Sequence, residues 1–302
     1  MTTPVLVLAG STGSGKTELA MALAREFDAE IVGADSRQIY RGMEIGTAAP
    51  TPQQLAAVPH HLVGFLDPHE RYSAARYAQD AVAAIAGIHA RGKRAIVTGG
   101  TGFYIRALTG GVDLAPQLDE TLRERLAIES RVHPAEFLHA WLALHDPRRS
   151  AELDPGDRYR VLRALEIALA PPEAHLRSEP VASLARGGVP FLVVFLDVAL
   201  DELDARIARR TSAMLDGGFV EEAERVGAAA VASNAVGYPQ ALAFLQGFST
   251  RAEMRATLER ATRRYARRQR AWFRGENGAL WLASEAVGTA VREKLGWSAK
   301  PV

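Results

Sequence analysis

The feature that most constrains the fold is a glycine-rich segment close to the start of the chain. Residues 10–17 read Gly-Ser-Thr-Gly-Ser-Gly-Lys-Thr and match the pattern G-x-x-x-x-G-K-[ST] in full. An aliphatic run at 5–9 precedes this segment, and a stretch with helical spacing at 17–27 follows it. Strand, loop and helix in this order are typical of a phosphate-binding loop, or P-loop, so the sequence predicts a polyphosphate site here.

The residues of the predicted P-loop have separable roles. Its glycines allow backbone N–H groups to point inward, and the start of the following helix adds partial positive charge. Lys16 supplies a point charge to the phosphates, and the Thr17 hydroxyl is a ligand for a Mg²⁺ ion that bridges them. The motif leaves the reaction undecided, so an ATPase, a kinase and a diphosphate-consuming transferase all stay open.

Strands and helices alternate along the first hundred residues. Strand-like runs at 5–9, 30–34 and 94–98 are separated by helical stretches at 17–27 and 74–90. Alternation of this kind predicts a parallel sheet covered by helices on both faces.

The strand pattern then disappears until strand character returns at 191–197. In between, the stretches at 118–130, 134–144 and 157–169 have helical spacing and many charges, and a capping box at 250–253 starts a long final helix. We therefore predict an α/β fold: a P-loop NTPase-like parallel sheet flanked by helices, with an all-helical insertion domain. The predicted boundaries are 1–113 and 188–302 for the P-loop core with its C-terminal helices, and 114–187 for the insertion.

Composition excludes several protein classes. The chain of 302 residues has a net charge of +1, so only local clusters of charge bear on its partners. It contains no cysteine, which excludes disulfides and thiolate zinc sites and fits a reducing compartment. No signal peptide and no apolar stretch of ~18 residues is present, so we expect a cytoplasmic protein without a membrane span.

Two further polar loops follow predicted strands and are expected at the same edge of the sheet as Lys16. Asp35 begins the first of them, Asp-Ser-Arg-Gln, and is either a general base or outer Mg²⁺ ligand, or the acceptor of an Asx turn. Thr101, in Gly-Gly-Thr-Gly, either orients a carboxylate or contacts phosphate, or belongs to a plain turn. No clear Walker-B pattern occurs; the nearest candidate ends at Asp197, which weakens a motor-type ATPase.

Arginines crowd the segment 260–274, with Tyr265, Trp272 and Phe273 between them. At helical spacing, several of these arginines share one face. The face is either solvated and ion-paired or binds nucleic acid; no acid lies between Glu259 and Glu276, which favours nucleic acid. A second basic group is Arg158, Arg160 and Arg163, for which a helix salt-bridged through Asp157 and Glu166 is the alternative.

The chain closely resembles the tRNA dimethylallyltransferase family, also called tRNA isopentenyltransferases, of the bacterial type. The matching segments run through most of the sequence in the family's order and spacing. They are GSTGSGKT (10–17), DSRQIYRGMEIGTAAP (35–50), PHHL (59–62), YSAARYAQDA (72–81), GGTGFYIRAL (99–108), DRYRVLRALE (157–166), RRTSAMLDGGFVEE (209–222), VGYPQAL (236–242) and TRRYARRQRAWFR (262–274).

This resemblance implies transfer of a dimethylallyl group from dimethylallyl diphosphate to N6 of the adenosine immediately 3′ of the anticodon, flipped out of its stack. It implies that Asp35 is the general base, with Thr101 beside it, and that Arg210 binds the diphosphate opposite the P-loop. Mg²⁺, held by Thr17, is the implied cofactor. The implied diphosphate-binding residues are Thr12, Gly13, Ser14, Gly15, Lys16 and Thr17.

The resemblance also implies a surface for the anticodon stem-loop of tRNA. Its implied residues are Asp35, Ser36, Arg37, Gln38, Thr101, Arg123, Tyr159, Arg160, Arg163, Arg264 and Arg268. We expect the protein to act as a monomer. Three rival functions remain: an adenylate isopentenyltransferase, which prenylates free AMP, a small-molecule P-loop kinase, and a non-enzymatic RNA-binding P-loop protein. The arginine-rich helix and the insertion argue against the first rival.

Overall fold

The computed structural model describes residues 2–110, 120–171, 181–229, 235–276 and 278–300. The strands are β1 Val5–Gly10, β2 Ala29–Gly33, β3 His60–His61, β4 Arg94–Gly99, β5 Phe191–Leu196 and β6 Leu280–Leu282. The helices are α1 Lys16–Glu26, α2 Glu44–Thr47, α3 Pro52–Ala57, α4 Ala74–Ala90, α5 Gly102–Thr109, α6 Glu120–Val132, α7 Ala135–His145, α8 Pro147–Glu152, α9 Arg158–Ala168, α10 Leu200–Asp216, α11 Phe219–Val226, α12 Tyr238–Leu245, α13 Arg251–Arg274 and α14 Ser284–Leu295.

The six strands form one parallel sheet in the order β3-β2-β4-β1-β5-β6. β1 is buried along its whole length, as expected for a strand covered on both faces. Ala9 lies beside Gly99, Gly10 beside Leu196, and Gly33 beside Thr98, so the loops after four strands begin at one level. This arrangement is the P-loop NTPase-like fold, and the prediction of a parallel sheet flanked by helices is confirmed.

Alternation along the strands explains how the two faces are covered. Leu6 and Leu8 of β1 pack in one cluster with α1 and with Val287 and Val291 of α14. On the opposite face, the Phe195 ring lies 4.9 Å from the ring of Phe273 in α13. The sheet therefore holds α1 rigidly at the P-loop end of β1, and α13 across the other face.

Two strands and the last helix were not predicted. β3 has two residues and both are histidines, and β6 has three, so neither is long enough for an alternating pattern to be visible. The capping box is confirmed, because Thr250 Oγ1 accepts the Glu253 N–H at 3.3 Å. The expectation that α13 is the final helix is wrong, since β6 and α14 follow it.

Contacts divide the chain into two compact units, residues 1–112 with 181–302, and residues 113–180. In the second unit, the elements of the described residues are all helices, α6–α9, packed around a core of Leu126, Leu138, Leu142, Val161 and Leu165. Residues 181–187 group with the first unit, where the Leu184 N–H donates to the Leu108 carbonyl at 2.7 Å. The predicted boundary at 113/114 lies next to residues 111–119, which are outside the described residues.

Candidate active site

The predicted P-loop connects β1 to α1. Gly13 and Gly15 have φ angles of 81° and 87°, which residues with a side chain rarely adopt. The Ser14 N–H donates to the Ser11 carbonyl at 3.1 Å, and α1 begins at Lys16, so the N–H groups of its first turn have no partner within the helix. The loop therefore presents backbone donors and the positive end of a helix to an anion.

Two cations lie at this loop, of which Lys16 is buried and Arg210 is half-buried. Lys16 is only 9% exposed, and its Nζ donates to the Ser11 carbonyl at 3.4 Å. Arg210, from α10, donates through Nη1 to Thr12 Oγ1 at 2.9 Å and through Nη2 to the Thr47 carbonyl at 3.3 Å. Across the described part of the chain, neither cation makes an ion pair with a carboxylate.

The electrostatics of both cations reflect this environment. Burial lowers the pKa of Lys16, the nearby negative charge of Asp35 opposes that shift, and the positive charge of Arg210 adds to it. Burial also lowers the pKa of Arg210, again opposed by Asp35. Lys16, Arg210 and Asp35 therefore lie close enough for their charges to influence one another.

Two polar atoms beside the P-loop are buried without a hydrogen-bond partner among the described residues: Ser14 Oγ and Arg210 Nε. Buried polar groups of this kind are costly unless a ligand or water satisfies them. Together with the unpaired charges of Lys16 and Arg210, they make the P-loop a site for a multiply charged anion.

The second and third loops are locked to each other. Gly99 ends β4 against the backbone of Ala34, and a Cβ on Gly99 would lie 2.1 Å from the Ala34 carbonyl oxygen, so only glycine fits. Beyond this contact, Thr101 Oγ1 accepts the Ser36 N–H at 2.8 Å and lies 3.2 Å from Ser36 Oγ. Thr101 therefore fixes the backbone next to Asp35.

Asp35 forms an Asx turn, which was the alternative to a catalytic role, and it also lies where a general base is required. Its Oδ1 accepts the Arg37 N–H at 2.9 Å, which is an Asx turn. The turn engages one carboxylate oxygen and holds the side chain at the edge of the sheet where Lys16 and Arg210 lie. The two interpretations of Asp35 are thus compatible.

The segment around α2 closes the site from a third side. Gln38 Nε2 donates to the Thr47 carbonyl at 3.2 Å and to the Ala48 carbonyl at 3.0 Å. The buried Glu222 carboxylate accepts the N–H groups of Ile45 and Gly46, each at 2.8 Å. Glu222 thereby holds the carbonyl groups that Arg210 and Gln38 contact.

Sequence reasoning missed Glu222, Arg206 and Gln269. Arg206 donates to the Ser14 carbonyl at 2.8 Å, and Gln269 bonds to both the P-loop and the third loop. Gln269 lies three residues after buried Ala266 and four before buried Phe273. The sequence did offer a signal for Gln269, because it is a polar residue at a position that helical spacing assigns to the buried face of the helix.

Asp197, the nearest Walker-B candidate, pairs with Arg270 at 2.5 Å. This pair also corrects the view that the arginines of α13 have no acids to compensate them. Asp204 of α10 lies 2.9 Å from Arg267 and 3.8 Å from Arg263. Arg263 also pairs with Glu259 of the same helix at 3.1 Å, whereas Asp197 and Asp204 come from other elements, which the spacing within α13 did not reveal.

Two other arginines of this face, Arg264 and Arg268, are exposed and without a carboxylate partner among the described residues, as expected of a surface that binds nucleic acid. The Arg268 guanidinium lies 5.8 Å from the centre of the Tyr265 ring. An exposed cation beside an aromatic ring is a group that stacks on bases and binds phosphate.

In the helical unit, the salt-bridged alternative is the arrangement observed. Glu166 is buried and pairs with Arg123 and with Arg163, each at 2.6 Å, and Arg160 pairs with Asp157 at 2.9 Å. Tyr159, in contrast, is 81% exposed. Contact of these residues with tRNA stays a prediction.

No helix among the described residues is long and apolar enough to cross a membrane. Those residues also contain no group of three or more His, Cys, Asp or Glu side chains arranged to hold a metal ion.

Comparison with known proteins places this chain in a family. The sequence profile of the IPP transferase family matches residues 38–276. A tRNA dimethylallyltransferase of Geobacter sulfurreducens is 40% identical, over 93% of this chain and 92% of its own. One from Anaeromyxobacter dehalogenans is 45% identical, over 92% and 94% of the two chains.

Solved structures agree with these relatives. The full-length tRNA isopentenylpyrophosphate transferase of Bacillus halodurans has a TM-score of 0.69 at 30% identity, covering 97% of both chains. A eukaryotic dimethylallyltransferase acting on tRNA has a TM-score of 0.77 at 23% identity, covering 99% of this chain and 81% of its own, which bears on the fold alone. The resemblance predicted from the motifs is confirmed: this chain belongs to the IPP transferase family of prenyl-transferring enzymes.

Proposed function

We propose that this protein transfers a dimethylallyl group from dimethylallyl diphosphate to N6 of the adenosine immediately 3′ of the anticodon in tRNA. The single observation that carries the proposal is the meeting of buried Lys16 and half-buried Arg210, which have no carboxylate partner among the described residues, with the carboxylate of Asp35. The cations suit a diphosphate, and the carboxylate suits an acceptor that loses a proton. The names of the relatives, tRNA dimethylallyltransferases, point to the same pair of substrates.

The chemistry needs two things from these residues. An exocyclic amine is a weak nucleophile, whereas an allylic diphosphate ionises readily once its leaving charge is neutralised. In the proposed reaction, the C1–O bond breaks, the electron pair leaves with diphosphate, and N6 bonds to C1. Lys16, Arg210 and the P-loop N–H groups stabilise the departing charge, and Asp35 accepts the N6 proton.

Thr12, Gly13, Ser14, Gly15 and Thr17 complete the proposed diphosphate site. Mg²⁺ fits this donor set, because it binds through one or two protein oxygens together with substrate phosphates, and not through an all-protein cage. The Thr17 hydroxyl would hold it at the start of α1. When bound, the ion would add positive charge to the leaving group.

The loop around Asp35 is proposed to hold the general base in place and to contact the acceptor adenosine. Thr101 and the Asx turn limit the movement of Asp35, which reduces the loss of entropy on reaching the transition state. Ser36, Arg37 and Gln38 follow Asp35 directly and are proposed to contact the flipped adenosine and its neighbours.

Two groups of residues are proposed to contact tRNA, and each is taken by itself: one lies on α13 and the other in the helical unit. Arg264 and Arg268 are exposed cations on α13, and Tyr159 and Arg160 are exposed at the start of α9. Arg123 and Arg163 stay proposed RNA contacts, although both pair with Glu166. Because one chain supplies every side chain of the site, the protein is proposed to act as a monomer, in the cytoplasm where tRNA is found.

Mass spectrometry of nucleosides tests the proposal directly. The protein is incubated with dimethylallyl diphosphate and an anticodon stem-loop RNA, or with AMP, or with ATP and no RNA. We expect a dimethylallyl group on one adenosine of the stem-loop. A prenylated AMP with an unmodified stem-loop would assign the adenylate reaction instead, and ATP turnover without RNA would assign a kinase.

A further inference from the structure

The side chain of Gln269 joins two loops that belong to opposite sides of the proposed reaction. Its Oε1 accepts the Thr12 N–H of the P-loop at 2.8 Å, and its Nε2 donates to the Gly100 carbonyl of the third loop at 2.8 Å. Gln269 is 7% exposed, so neither bond is made easily with water instead. Because one partner is a donor and the other an acceptor, the orientation of the amide is determined.

Each end of this bridge leads to a group that the reaction needs. On the first side, Thr12 Oγ1 accepts a hydrogen bond from Arg210 at 2.9 Å. On the second side, Gly100 precedes Thr101, whose Oγ1 holds the Ser36 N–H beside Asp35. Gln269 thus connects the diphosphate-binding arginine to the proposed base through two short chains of bonds.

Space around the bridge is tight. A Cβ on Gly100 would lie 2.2 Å from Gln269 Nε2, so the glycine allows the amide to reach its carbonyl. One turn earlier on the same helix, burial raises the pKa of Tyr265 to about 12, and the negative charge of nearby Asp35 adds to this rise. The Gln269 turn of α13 therefore faces the site at Asp35 as well as the P-loop.

We infer that Gln269 is a positioning residue, which sets the spacing between the groups that hold the diphosphate and the groups that orient the acceptor base. The inference rests on the proposed function. Glutamine suits this role because it offers one acceptor and one donor on a planar amide. Glutamate would place an acceptor against the Gly100 carbonyl, and methionine would make neither bond.

The test compares Gln269→Glu and Gln269→Met with the full-length wild-type protein. Three quantities are measured for each protein: the single-turnover rate of transfer from dimethylallyl diphosphate to an anticodon stem-loop RNA, the half-saturating concentrations of both substrates, and the fraction of active enzyme. A misplacement of ~1 Å between reacting groups costs up to about a hundredfold in rate. We expect the rate per active enzyme to fall by about ten- to a hundredfold in both variants, while half-saturating concentrations stay within about threefold.

Arg255→Gln is the matched control, because Arg255 is an exposed residue of the same helix that pairs with Glu259 at 3.2 Å, 14 residues before Gln269. It should transfer at about the wild-type rate. A residue with a purely structural role would reduce the active fraction and leave the rate per active enzyme unchanged.

Three results would overturn the inference: rates within about twofold of wild type in both variants, a change confined to half-saturating concentrations, or failure of both variants to fold. A wild-type protein that transfers nothing to the stem-loop would instead reject the proposed function itself. The two failures are therefore distinguishable in one experiment.

Discussion

The cations at the P-loop and those of the helical unit are balanced by different partners. Lys16 and Arg210 contact carbonyl and hydroxyl oxygens and make no ion pair among the described residues. Arg123 and Arg163 instead converge on one buried carboxylate, Glu166. A buried charge without a counter-charge lowers the free energy of unfolding, whereas in a buried pair the attraction between the two charges offsets part of the desolvation cost.

This difference distinguishes a charge kept for a ligand from a charge used in the fold. The diphosphate would supply at the P-loop the negative charge that Glu166 supplies in the helical unit. The face of α13 combines both cases, because Arg267 pairs with Asp204 while Arg264 has no carboxylate partner in the part of the chain that the structure describes. Four substitutions or titrations separate the two roles.

Lys16→Met should have the largest effect. We expect transfer to fall by about a thousandfold or more, because the leaving group loses its closest charge. The free energy of unfolding without ligand should not fall, because the variant removes a buried, unpaired cation. Single-turnover transfer and urea unfolding measure the two quantities.

Lys93→Met is the control for this substitution, since Lys93 pairs with Asp28 at 2.6 Å at a solvent-exposed position. It should retain transfer and change stability by at most about 1 kcal/mol. A loss of stability of more than about 2 kcal/mol in Lys16→Met would show that the lysine serves the fold.

Binding of dimethylallyl diphosphate should weaken at alkaline pH. Only protonated Lys16 attracts the diphosphate, and burial lowers its pKa below the ordinary 10.5. Affinity is therefore full at low pH and falls, by up to about tenfold per pH unit, as the pH rises through this lowered pKa. Calorimetric titration across neutral to alkaline pH measures the profile.

Lys16→Arg sharpens this test, because arginine keeps its charge over the same range. Its affinity should be weaker at neutral pH but should lack the alkaline loss. An identical alkaline loss in both proteins would assign the titration to another group.

On α13, Arg264→Gln should weaken stem-loop binding by several-fold and reduce the slope of log affinity against log salt by about one. Arg267→Gln removes an exposed arginine of the same helix that already pairs with Asp204 at 2.9 Å, so its effect should be smaller. Fluorescence anisotropy over a range of salt concentrations measures both. Equal slopes for the two variants would remove the distinction between paired and unpaired arginines.

Glu166→Gln should have the smallest effect on the diphosphate site and a clear effect on stability. It leaves Arg123 and Arg163 without their shared carboxylate, which we expect to lower the free energy of unfolding by about 2 kcal/mol. Binding of dimethylallyl diphosphate, measured by calorimetry, should be unchanged. Wild-type stability in this variant would mean that the pair contributes nothing to the fold.

Local signals explain what the sequence could predict. The P-loop combines strand, glycine and helix signals within residues 5–27, and the loops after β2 and β4 follow recognisable strands. Parallel strands place their carboxyl ends at one edge, so the meeting of Lys16, Asp35 and Thr101 followed from the fold class. The position of Arg210 came from the family resemblance.

Contacts between distant segments explain what it could not. Asp204 lies 63 residues before Arg267, and Gln269 lies 257 residues after Thr12, so no local pattern links either pair. β6 has only three residues and is stabilised by pairing with β5. Such features depend on tertiary packing that a single sequence does not display.

The central claim is that Lys16 and Arg210 hold a departing diphosphate while Asp35 removes a proton from the attacking adenosine. Asp35→Asn tests it most directly, because the amide oxygen can still accept the Arg37 N–H that forms the turn. Single-turnover transfer and stem-loop affinity are measured together. The account predicts that affinity stays within a few-fold of wild type while transfer falls by about a hundredfold or more; transfer at the wild-type rate would contradict it.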